Sequence, residues 1–107
     1  MKVRFKKNGP DVYSDYKIKD RTIKKANNLG VMVYPSTNPQ KKIDVHSSSG
    51  EFLARIGDIE YMDYPSYLAT AGKDTANNRR KLYKIRHNKD RHKVGTPSFF
   101  ADQLLWS

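Results

Sequence analysis

The stretch Lys42-Ile43-Asp44-Val45-His46, Ser47-Ser48-Ser49-Gly50, Glu51-Phe52-Leu53-Ala54-Arg55-Ile56 decides how the rest of the chain is read. Its first part alternates apolar and polar residues, the period of a strand with one face buried. Three serines and a glycine then supply turn chemistry, and the third part can return antiparallel. A hairpin is expected. Upstream, Val31-Met32-Val33-Tyr34 reads as another strand, closed by Pro35, with residues 36–40 as a loop. Downstream, residues 58–62 read as an extension into a three-stranded meander, which places a small antiparallel sheet over about 31–62.

Helical signals flank this sheet. Asp20 can cap a helix over 21–29 that stops at Gly30, with Ile23 and Ala26 facing inward. Pro65 can open a short helical turn through 66–69, closed by Gly72. The longest pattern runs over about 74–92 from an Asp74-Thr75 cap. At 100° per residue Leu82, Tyr83 and Ile85 share one face with Ala76 at its margin, while Lys73, Arg80, Lys84 and Arg91 line the opposite one. This predicts a packing side and a basic ridge about 30 Å long, to which Arg79, Lys81 and Arg86 add charge. Thr96-Pro97 then starts a helix over about 97–106. Its Phe99, Phe100, Leu104, Leu105 and Trp106 form the most apolar segment and are expected to anchor on the chain's own domain, against Leu82, Tyr83 and Ile85. The fold class is therefore α+β: a small sheet packed by a basic amphipathic helix and a short C-terminal helix, within one domain over 20–107. Residues 1–19 are expected to be a basic extended arm, with Lys2, Arg4, Lys6 and Lys7 as its contacts.

Of 107 residues, 36% are hydrophobic and 11% aromatic, and the formal net charge is +10. So low an apolar share predicts a small core, while the aromatic content argues that the chain folds. The charge is segmented: basic to residue 42, acidic over 43–72, basic over 73–93 and apolar thereafter. Such an excess favours an anionic partner, whether nucleic acid, an acidic protein face or an anionic lipid surface. With no cysteine there is neither a disulfide nor a thiolate site. The first residues lack the apolar run of a secretory signal, and no stretch has the length of a membrane span.

Candidates for catalysis are few. Asp58, Glu60 and Asp63 form the one acidic cluster, and alternating acids on a strand are more simply solvated than catalytic. His87 and His92 lie five apart, off the helical spacing that pairs two ligands. Residues 47–50 lack the lysine and glycine pattern of a phosphate loop. Tyr83 and His87 beside the ridge offer stacking surfaces, though a tyrosine on an apolar face is more simply core. Neither an enzymatic activity nor a cofactor is expected.

Tyr61-Met62-Asp63-Tyr64, Arg79-Arg80, Tyr83-Lys84-Ile85-Arg86-His87, Phe99-Phe100 and Leu104-Leu105-Trp106 occur in an order that resembles a poorly characterised family of small basic proteins of large DNA viruses of algae and protists, over about residues 51–106. The resemblance implies a viral setting and no catalytic residue. With the basic arm and small core it points to a minor, capsid-associated structural protein, placed in the virion or in the host cytoplasm or nucleus. Its expected partners are neighbouring viral structural proteins, bound through the basic helix, the arm and the apolar C-terminal segment. The alternative is a protein that binds DNA or RNA through the ridge at 73–93.

Overall fold

The structure is a computed structural model that describes residues 14–107. Strands β1 (Val31–Pro35), β2 (Lys41–Ser47) and β3 (Phe52–Asp58) form an antiparallel sheet in the order β1-β2-β3. The hairpin expected at 42–56 is its centre, and the third strand is β1. Ile43 pairs with Ile56, and Val45 pairs with both Val33 and Ala54, so one face collects the apolar residues. Residues 58–62 do not continue the meander. Gly57 takes φ 79°, and the Asp58 carboxylate accepts from the Glu60 amide at 3.0 Å, which closes a turn in place of a strand.

The helices among the described residues are α1 (Asp20–Leu29), α2 (Tyr64–Thr70), α3 (Lys73–Arg86) and α4 (Pro97–Leu105); α1 and α4 pack on the sheet, and α2 packs mainly on α3. Gly30 ends α1 in the left-handed conformation, as the sequence predicts, but the N-cap is Lys19 and Asp20 is already helical. Ile23, expected inside, is exposed. The inward position is Thr22, whose hydroxyl donates to the Leu104 carbonyl at 2.9 Å. The core joins Ala26 of α1 to Ile43, Val45, Ala54 and Ile56 of the sheet and Phe100, Leu104 and Leu105 of α4. Full burial of one such large side chain contributes roughly 1.5–3 kcal/mol.

The C-terminal helix behaves as expected. The Thr96 hydroxyl accepts from the Phe99 amide at 3.2 Å, and Pro97 occupies the first turn, where it has no backbone donor to leave unpaired. Phe100, Leu104 and Leu105 are buried, while Phe99 and Trp106 are half-buried against them. The anchor therefore lies on the chain's own domain. Its counterpart is the sheet and Tyr83, and neither Leu82 nor Ile85 takes part.

Helix α3 is the main correction. It stops at Arg86 instead of near 92, because the chain folds back there: Arg91 donates from Nε to the Lys84 carbonyl at 3.3 Å. Ala76 and Tyr83 are its buried residues, while Leu82 and Ile85 are 45% and 64% exposed. The packed face is rotated by about a third of a turn from the one the apolar pattern defines, at 100° per residue. Partners supplied by distant segments explain the rotation. Tyr64 of α2 donates to Asn77 at 2.7 Å and lies 4.1 Å beneath the Arg80 guanidinium, and Asp102 of α4 takes the Lys84 ammonium at 2.6 Å. These contacts draw the cationic side of α3 toward the domain.

Residues 14–19, expected within the arm, are extended but docked. The Ser14 amide donates to the Ser36 carbonyl at 2.7 Å, and Tyr16 and Ile18 pack against the core. Lys2, Arg4, Lys6 and Lys7 lie outside the described residues.

Candidate binding surfaces

The expected ridge divides into two groups. Arg80, Lys84 and Arg91 are spent internally: Arg80 covers Tyr64, while Lys84 and Arg91 approach Asp102 at 2.6 and 3.6 Å. Lys73, Arg79, Lys81 and Arg86 remain exposed, Arg79 leaning over the Tyr67 ring at 5.7 Å. Lys81 and Arg86 flank Leu82 and Ile85 on the outward side of α3. The solvent face of this helix is thus apolar at its centre and basic at its margins, the reverse of the expected arrangement.

Three buried carboxylates hold the domain together, and the sequence marked none of them as structural. Asp63 is fully buried. One of its oxygens caps α2 through the Ser66 amide at 2.9 Å, and the other accepts from the Tyr16 hydroxyl at 2.6 Å and the Lys42 ammonium at 3.0 Å. Burial alone would raise its pKa, but Lys42, Tyr16 and Ser66 together hold it below the ordinary carboxylate range. Lys42 moves the other way in spite of the same ion pair. Burial lowers its pKa by more than Asp63 restores, so the pair is well fixed for the acid and marginal for the base. Tyr16 is pushed above its usual range, first by burial and then by its bond to Asp63.

Asp44 is the second. It accepts from Ser36 at 2.7 Å, from Thr37 and from Arg55 at 2.8 Å, and these bonds overcome the effect of burial to depress its pKa. Asp102 is the third. It receives Lys84, Arg91 and a bond from Gln103 at 3.1 Å. The acidic cluster expected from Asp58, Glu60 and Asp63 does not converge: Asp58 and Glu60 share a surface turn, and Asp63 turns inward to Lys42. Among the described residues no group of three His, Asp or Glu side chains is placed to hold a metal ion. No described helix is long and apolar enough to cross a membrane.

Next to α3 and α4 an aromatic stack borders a cavity. Tyr83 stacks on Trp106 with centroids 4.5 Å apart and planes 7° from parallel, and His87 lies 4.3 Å from the Tyr83 ring. The Tyr83 hydroxyl is pushed up to about 12 by burial and then by the nearby Asp102 and Asp90. Tyr83 is thus both core and stacking surface. The sequence placed it on the apolar face and expected the C-terminal segment with Trp106 to pack there, and the stack is that contact.

No protein-family model matches the chain, and no significant match occurs among curated proteins or solved structures.

Proposed function

We propose that this chain is a minor structural protein of a virus particle, one that docks on neighbouring subunits through the outward face of α3. The observation that carries this reading is the exposure of Leu82 and Ile85 between Lys81 and Arg86. The core is already closed by α4, so nothing inside the domain calls for these two apolar residues. An apolar centre with a charged rim has the anatomy of a protein interface. The basic rim selects a partner whose groove is edged by Asp or Glu. Nucleic-acid binding along the ridge has less support, because Arg80, Lys84 and Arg91 are engaged within the domain.

Zero-length carbodiimide crosslinking of purified particles from cells that make the chain tests the proposal. The expected product joins Lys81 to an Asp or Glu of a particle subunit. A chain abundant in those cells but absent from the particles would overturn it.

A further inference from the structure

A cavity of about 550 Å³ opens between the end of β3, the loop at 59–63 and the C-terminal ends of α3 and α4. That volume lies in the range of small-ligand sites. Its walls differ in chemistry. On one side are Tyr61, 69% exposed, and Met62 from the loop. On the other are Trp106, backed by Tyr83, and the paired bases Arg86 and His87 at the end of α3. Among the described residues no carboxylate pairs with Arg86, whereas His87 lies 3.7 Å from Asp90.

Two aromatic side chains lining one cleft offer stacking surfaces to a flat ring, and an unpaired guanidinium takes phosphate. Asp58 also borders the cavity, from the end of β3. Its negative charge pushes an anion away from that wall and toward Arg86, and its oxygens accept from a ring-borne amino group. We propose that this cavity binds a nucleotide unit, with the base between Tyr61 and Trp106 and the phosphate on Arg86. The docking face of the preceding section shares Arg86 with this cavity, whereas Leu82 and Ile85 do not border it.

Trp106 is the sole tryptophan of the chain, so its fluorescence reports on this site alone. Titration with AMP and with an eight-residue oligo-dA at low salt is expected to quench it to saturation. Quenching by AMP identifies a free nucleotide as sufficient, and quenching by the oligonucleotide alone identifies a strand as the source; both support the site. Tyr61→Ala and Arg86→Ala, on exposed side chains, are each expected to weaken binding about tenfold, the scale of one lost stacking or charged contact. Leu82→Ala, which places no carboxylate beside Arg86, is expected to leave it unchanged. Failure of both probes to quench, or quenching that survives Tyr61→Ala and Arg86→Ala together, would overturn the proposal.

Discussion

Replacing Asp63 by alanine removes three contacts at one point, and the consequence can be worked from the geometry. Lys42 has a side chain 5% exposed and its ammonium 3.0 Å from Asp63, so the variant leaves a buried cation unpaired. An uncompensated buried charge costs about 3–5 kcal/mol. Loss of the α2 cap adds about 1 kcal/mol, and Tyr16 loses the acceptor of its hydroxyl. These costs do not simply add, because Lys42 can relieve its own by releasing its proton, toward which burial already drives it. A loss of about 4 kcal/mol at pH 7 is expected, a large part of the stability of an ordinary small domain. Urea unfolding followed by Trp106 fluorescence measures it. The deficit should shrink as pH rises toward 10, because the unfolded chain then holds the lysine proton more tightly than the folded one and folding gains with pH. In a Lys42→Met background the effect of Asp63→Ala should fall to roughly the cost of the cap, about 1 kcal/mol. A loss under about 1 kcal/mol in the native background, or one unchanged by Lys42→Met, would refute the account of the buried pair.

Three further outcomes follow from other parts of the fold. A Cβ at Gly57 would lie 2.8 Å from Leu105 Cδ1 and 2.9 Å from Lys42 Cδ at φ 79°, so Gly57→Ala should lower stability by about 2–3 kcal/mol in the same urea titration. Trp106→Ala removes the stack on Tyr83 and should cost about 3 kcal/mol; an unchanged melting temperature would show that α4 is held by Phe100, Leu104 and Leu105 alone. Asp44 and Asp63 have folded pKa values below the unfolded ones, so their contribution is complete above about pH 4 and is lost as pH falls through the folded values. Circular dichroism at a series of acidic pH values should show this loss, and Asp44→Asn should flatten the part due to the Arg55 network.

The sheet was legible because alternation at 42–46 and the serine–glycine turn are local signals. The caps at Thr96-Pro97 and Gly30 are local as well, and they marked one helix start and one helix end correctly. What failed was the rotation of α3. Counting apolar residues placed Leu82 and Ile85 inside, but the helix turns on contacts with Tyr64, Asp102 and Trp106, which come from elsewhere in the chain. No periodicity within 73–86 holds that information. Asp102 is the clearest case. It is a single acid in an apolar segment, and it reads as a blemish until Lys84 and Arg91 are seen to close on it. Asp63 was noticed only as a member of an acidic cluster, since its partners Tyr16 and Lys42 are 47 and 21 residues away. The sign that could have flagged it was local: an acid two residues before Pro65 and three before Ser66, the arrangement of a helix cap.

In the proposed role the outward face of α3 serves a partner and not the fold. The most direct measurement is competition between the native chain and a Leu82→Glu/Ile85→Glu variant for incorporation into particles in the same cells, with the melting temperature of each purified chain recorded alongside. The expected result is a melting temperature within a few degrees of the native value, because exposed positions contribute little to stability, together with near-complete exclusion of the variant from particles. A variant that enters particles as readily as the native chain would contradict it.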